Sequence, residues 1–245
     1  MDYRKYDCSV KEILGCVGTS CAVASVFAWL FYRSFLAMVL VIPVYIVVLT
    51  SYKKDKMMQR KARLLQEFKD GMQALSAALY AGYSIENAWR EVAKEMRELH
   101  GANSLICGEL GQLNAAVRMN RPIEKVLEDF AARSGCEDIE SFAEIFSFAK
   151  RSGGNLPGII RVTVQKLSGR ILIEQEVATM LAGKKLEGRI MDVMPVAILA
   201  YMNISFGDFL DVLYGNVMGV IIMTVALAVY AGAIKLSEQI IDIRV

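Results

Sequence analysis

The chain has one histidine, His100, no Cys-x-x-Cys pair and no Gly-x-x-x-x-Gly-Lys-Ser/Thr loop. Each absence removes a class of function. A zinc site or disulfide framework needs clustered Cys and His, whereas the five cysteines are scattered over Cys8, Cys16, Cys21, Cys107 and Cys136. Without a phosphate loop, a metal-ligand cluster or a Ser/His/Asp constellation, no catalytic residue, cofactor or metal is expected, and the chain does not read as an enzyme. Net charge is lacking too. A balance of +2, evenly mixed along the chain, gives no basic footprint for nucleic acid.

What is present is a set of long gaps between charges. Ile13 to Tyr32, Ser34 to Tyr52, Val193 to Gly207 and Val212 to Ile234 are uncharged. A bilayer core of about 30 Å needs roughly 17 to 25 apolar helical residues, so the first, second and fourth stretches suffice unaided. The third is short. It is expected to borrow Ile190 and Met191 and to place Asp192 at the lipid headgroups, since a carboxylate at the bilayer centre is costly. The first stretch is full length and no small-residue cleavage site follows it, so no cleavable signal peptide is expected.

Lys53, Lys54, Lys56, Arg60, Lys61 and Arg63 follow the second stretch, and Lys184, Lys185 and Arg189 precede the third. Basic flanks face the cytoplasm. The central block is therefore expected inside, with Arg4, Lys5 and Lys11 holding the N-terminus there and Lys235 and Arg244 the C-terminus. Between the last two stretches the charges are Asp208 and Asp211, which suits the outer side; Arg33 in the first hairpin turn is the exception. The resulting fold class is all-α: about four transmembrane helices and a cytoplasmic six-helix antiparallel bundle. Its expected divisions are residues 1–52, 53–189 and 190–245.

Within the central block apolar residues recur at helical spacing. The six rows are Phe68, Met72, Leu75, Leu79; then Ile85, Trp89, Val92, Met96, Leu99, with Ser84 as N-cap; then Ile106, Leu110, Leu113, Val117; then Ile123, Val126, Leu127, Phe130, opened by Pro122 at the first helical position; then Phe142, Ile145, Phe146, Ala149; and last Ile160, Val164, Leu167, Ile171. The first helix is expected to start near Lys56. Short connections make consecutive helices antiparallel neighbours. The last segment has no clear stop and is expected to continue into the third span, bending, if anywhere, at Gly183 or Gly188. Alternation gathers Tyr80, Tyr83, Arg118, Arg121, Lys150 and Arg151 at the membrane-distal tip. That tip reads either as an interface or as solvated charge.

The run Leu79-Tyr80-Ala81-Gly82-Tyr83-Ser84-Ile85-Glu86-Asn87-Ala88, followed about seventy residues later by Arg151-Ser152-Gly153-Gly154-Asn155-Leu156, resembles the signature turns of the type II secretion F-domain family. The resemblance spans residues 56 to 235 and is nearest the Tad (tight adherence, Flp pilus) branch, the TadB/TadC class, whose members carry one such domain with two spans on each side. It implies a platform protein of the bacterial inner membrane. Such proteins couple a hexameric secretion ATPase to insertion or extraction of pilin or pseudopilin subunits, working with a second platform subunit or with themselves, and are not enzymes.

The residues alone also carry plainer readings. Gly82 and Gly153-Gly154 are helix C-terminal caps before they are anything else. Trp89, Phe142, Phe146 and Phe148 read as core, and the alternating Glu86, Arg90, Glu91, Lys94, Glu95, Arg97, Glu98 as a solvated helix face. Glu174 stands where the last row demands an apolar side chain, so there the helix turns its face, meets a polar partner or leaves the bundle. Asp192 and Asn203 are polar groups in or beside a span. A transporter subunit is the other function class in view, although four spans offer a meagre substrate path.

Overall fold

The computed structural model describes residue 3 and residues 10–32, 41–152, 155–206 and 216–241. The Gly153-Gly154 turn, Arg33, Asp208 and Asp211 lie outside them. The described residues form eight α-helices and no strand: α1 (Val10–Tyr32), α2 (Val41–Tyr80), α3 (Ile85–His100), α4 (Leu105–Arg118), α5 (Ile123–Ser134), α6 (Glu137–Arg151), α7 (Leu156–Ser205) and α8 (Val217–Ile241). The chain is all-α.

It divides into two compact units, Met1–Asp7 with Lys53–Ile173, and Cys8–Tyr52 with Glu174–Val245. Within α7 the boundary between the units falls at 173/174. Glu174 marks it, because the apolar row of α7 ends at Ile171, the last of its residues buried in the core of the first unit.

In the first unit, residues of α2 to α7 share one core. Its centre is aromatic: Phe142 meets Phe68 edge-on at 5.4 Å and stacks on Phe146 at 6.1 Å, and Phe146 meets Trp89 at 6.0 Å. Polar pairs fix the direction of the helices. Glu109 early in α4 binds Arg133 late in α5, Glu124 early in α5 binds Lys150 late in α6, and Asp138 early in α6 binds Arg170. Gln73 of α2 bonds Ser168 of α7. These are the pairings of antiparallel neighbours.

Three residues expected in the core need correction. Leu99, Ile145 and Phe148 are not core: Leu99 is 62% exposed and Phe148 70%. Steps of three residues rotate about 60° off a 3.6-residue face, so Ile145 and Phe148 drift outward while Ile139, Phe142, Ala143 and Phe146 hold the core. Helix α2 does not begin near Lys56 but runs unbroken from Val41, and Pro122 is the N-cap of α5 rather than its first helical residue. α7 is helical throughout, across Gly183, Gly188 and Pro195.

In the second unit, Leu30 and Phe31 of α1 and Met223 of α8 cluster with Val196, Leu199 and Ala200 of α7. The Tyr32 and Thr224 hydroxyls are 2.9 Å apart, Asn203 donates to the Leu30 carbonyl at 3.4 Å, and the Tyr230 hydroxyl donates to the Asp192 carbonyl. Among the described residues two helical stretches, Val10–Tyr32 and Met218–Ser237, are long and apolar enough to cross a membrane. The expected second and third spans include residues 34–40 and 207, outside the described set.

Candidate functional site

The α2–α3 turn is built by its glycine. Gly82 has φ +88°, its N–H donates to the Leu79 carbonyl at 3.1 Å, and the Tyr83 N–H reaches the Ala78 carbonyl at 3.2 Å. That paired pattern closes a helix through a left-handed residue. Ser84 then starts α3, its hydroxyl accepting from the Asn87 N–H at 3.4 Å. The α4–α5 turn repeats the closure with Asn120 at φ +57° and Arg121 N–H on the Ala116 carbonyl at 3.0 Å. Asparagine tolerates this region less well than glycine. Asn120→Gly is expected to stabilise the full-length protein and Gly82→Ala to destabilise it, each by about 1 kcal/mol, in opposite shifts of the thermal melting midpoint.

Contacts bring these turns and the end of α6 to one end of the first unit: Glu124 at the start of α5 meets Lys150 at the end of α6, and Tyr80 at the end of α2 meets Arg161 in the first turns of α7. Tyr80 and Tyr83 are exposed, as are Arg118, Met119, Arg121 and Arg151. The tip is less basic than its residue count suggests. Lys150 is half-buried and bound to Glu124 at 3.1 Å. Burial alone would raise the Glu124 carboxyl, but its own backbone hydrogen bond and the Lys150 ammonium outweigh that and hold it below its ordinary value. Arg151 folds back on its own helix, donating to the Ser147 hydroxyl at 2.7 Å and carbonyl at 3.2 Å. Arg161 lies over the Tyr80 ring at 5.5 Å. Arg118 and Arg121 are the tip cations directed to solvent.

From Arg118 a groove of about 570 Å3 runs between α3 and α4. Arg90, Lys94 and Arg97 form one wall, Arg118 and Met119 close the tip end, and Ala93, Gly111 and Ala115 leave the floor shallow. Helix α3 has sorted its charges. Its cations lie on the α4 side, while Glu91, Glu95 and Glu98 are absent from the lining; Lys94 alone reaches back to Glu91, at 3.8 Å. The spacing of 90, 94 and 97 is visible in the sequence. The second wall is not, because it depends on which side of α3 meets α4.

The opposite end holds buried carboxylates. Glu67 of α2 accepts from the Ile106 N–H at 3.0 Å and so caps α4, although Ser104 occupies the N-cap position and leaves its buried hydroxyl without a partner. Glu109 binds Arg133 through both oxygens, at 3.0 and 2.7 Å, and accepts from the Tyr3 hydroxyl at 3.0 Å. Tyr3 is 2% exposed, its N–H bonds the Arg133 carbonyl at 3.0 Å, and Arg60 lies 5.0 Å from its ring centre. Nothing in the local sequence pattern announces Tyr3. Lys61 donates to the Gly135 carbonyl at 2.9 Å at this same end, and Arg170 reaches Glu137 and Asp138 there. The chain thus joins and leaves the unit opposite the tip.

Among the described residues no three His, Cys, Asp or Glu side chains gather as a metal site. Asp192, expected at a headgroup boundary, engages Tyr230 through its carbonyl. No family model, curated protein or solved structure matches the chain.

Proposed function

We propose that this chain is an inner-membrane platform protein of a Tad/Flp-type pilus or type II secretion-like machine. Its reading has four spans, both termini and a six-helix bundle in the cytoplasm, and no catalytic role of its own. A secretion ATPase docks at the tip, the bundle transmits its motion through the long α7, and the α7–α8 pair works on a pilin or pseudopilin beside a second platform subunit or a second copy.

The observation carrying this reading is the exposed tip of Tyr83, Arg118 and Arg121, at the end of the helical unit opposite the points where the chain joins and leaves it. A force-receiving surface belongs at the far end of a rigid body. Lipid contact is supported by the exposed apolar side chains of α1, α7 and α8, among them Leu14, Trp29, Val193, Ile204 and Met218, which a membrane would cover. The basic flanks support the orientation.

Recovery of the intact protein from gently solubilised native membranes tests the proposal. A secretion ATPase is expected to co-purify, and Arg118→Glu with Arg121→Glu is expected to lower its recovery by about tenfold or more, since like charges placed across a complementary interface cost several kcal/mol. Adding Lys150→Glu and Arg151→Glu should change little further, because those two cations already bind Glu124 and Ser147. Recovery of solute-transport components without an ATPase would replace the platform reading with a transporter subunit.

A further inference from the structure

We infer that the groove between α3 and α4 receives the outward ridge of α6 from a second copy of this chain, joining bundles side by side. On α6 the residues opposite the core form a row of Glu137, Glu140 and Glu144, and one further turn brings Phe148, 70% exposed. Reading from the tip, the ridge carries Phe148, then carboxylates four, eight and eleven residues on. The groove wall, read from the same tip, carries Arg90, then Lys94 and Arg97 four and seven residues on. The intervals between charges agree.

Laid antiparallel, α3 and α6 bring Arg90 to Glu144, Lys94 to Glu140 and Arg97 to Glu137. The levels match as well. Arg90 lies five residues into α3 from the tip and Glu144 seven residues short of the tip end of α6, about 8 and 10 Å at 1.5 Å per residue. Phe148 then arrives beside Met119, which is 75% exposed at the tip end of the groove. A thioether and an aromatic ring make a favourable pair, and Arg118 offers the ring a cation. The small floor of Ala93, Gly111 and Ala115 leaves room for a helix to approach.

The antiparallel pairing has a geometric consequence. Helix α3 begins at the tip and α6 ends there, so pairing them antiparallel keeps both tips pointing the same way. Two copies anchored in one membrane would have to stand like that; this orientation rests on the membrane-anchored reading above, whereas the charge match does not. Trp89 and Phe146 touch across the core, so α3 and α6 turn their outer faces in opposite directions. The contact is therefore head-to-tail, and it repeats into a ring or a row rather than stopping at a pair. Glu137 is shared with Arg170 at 3.8 Å within its own chain, which makes Glu140 and Glu144 the residues to alter.

The experiment measures self-association of the full-length protein in lipid nanodiscs or detergent by light scattering. Arg90→Glu with Lys94→Glu, and separately Glu140→Lys with Glu144→Lys, should each weaken association by about tenfold or more. All four changes in one chain should restore it. An equimolar mixture of the two double variants should also associate, since each ridge then finds a groove of opposite charge; helicity and melting midpoint verify that every variant is folded. Failure of both the four-fold variant and the mixture to recover, or no effect of either double change, overturns the interface. If instead the groove variant loses the ATPase but not self-association, the groove serves that partner and the self-contact is wrong. ATPase recovery by the ridge variant and by the tip variant is read in parallel, so an interface that holds while no ATPase is recovered refutes the platform reading alone.

Discussion

Phe142→Ala is expected to cost the helical unit about 3 to 5 kcal/mol, a large share of the 5 to 15 kcal/mol typical of a folded domain. Phe142 is 2% exposed and is the ring through which Phe68 of α2 and Phe146 of α6 are joined, with Trp89 of α3 beyond. Truncation removes two ring contacts, each worth about 0.5 to 1.5 kcal/mol beyond area burial, and leaves a cavity lined by rigid rings that cannot collapse onto alanine. Phe148→Ala, six residues later on the same helix, changes the same atoms at an exposed position and should stay within about 0.5 kcal/mol. Denaturant unfolding followed by Trp89 fluorescence, in a Trp29→Phe background so that α1 does not contribute, compares them. Equal losses at the two positions would mean that α6 presents a different face to the core.

The contrast between those two phenylalanines shows how far the sequence could be read. Both belong to an apolar group at helical spacing, and local periodicity assigns them together. What separates them is the drift between steps of three and steps of four residues, which decides the face only once several buried positions are known. Elements with a local chemical signature were legible: the Gly82 closure followed by the Ser84 cap, and the unbroken run of α7. Glu174 was legible as an interruption. Its meaning, the end of the row buried in the first unit, needed the contacts of the other helices.

The candidate site divides in the same way. The tip could be listed from alternation alone, since each antiparallel helix returns the chain to the same end. The pairing of Lys150 with Glu124 and of Arg151 with Ser147 could not, because one partner lies 26 residues away and the other depends on a side-chain rotamer. These bonds withdraw two of the four tip cations and shift weight to Arg118, which also closes the α3–α4 groove. The mixed charges of α3 looked like a solvated face for a related reason. Segregation of cations from acids around a helix is invisible until a neighbour defines which side is a wall.

Glu109→Ala is the second large effect expected, about 2 to 4 kcal/mol, and it acts at the end of the unit where the chain joins and leaves. The carboxylate is buried, takes both Arg133 nitrogens and accepts from Tyr3. Removing it takes the bidentate carboxylate from a guanidinium 30% exposed and the acceptor from a buried phenol. Breaking a fully buried ion pair costs about 3 to 5 kcal/mol, and the partial exposure of Arg133 lowers the expectation by about 1 kcal/mol. Burial first, and then the Glu109 charge with its hydrogen bond, push the Tyr3 phenol well above its ordinary value, so it remains the donor at any physiological pH. The Glu109 hydrogen bond likewise raises Arg133. Tyr3→Phe keeps the packing and deletes one donor, which should cost about 1 kcal/mol, and in the Glu109→Ala background the same change should cost almost nothing. Cys136, whose thiol is raised by burial beside Ser134, reports opening of this end through its alkylation rate. The rate should rise most for Glu109→Ala, less for Tyr3→Phe, and no further for the two together. Additive effects would mean that Tyr3 is held by Arg60 and the Arg133 carbonyl without help from the carboxylate, and that it is tied to the helical unit by packing rather than by charge.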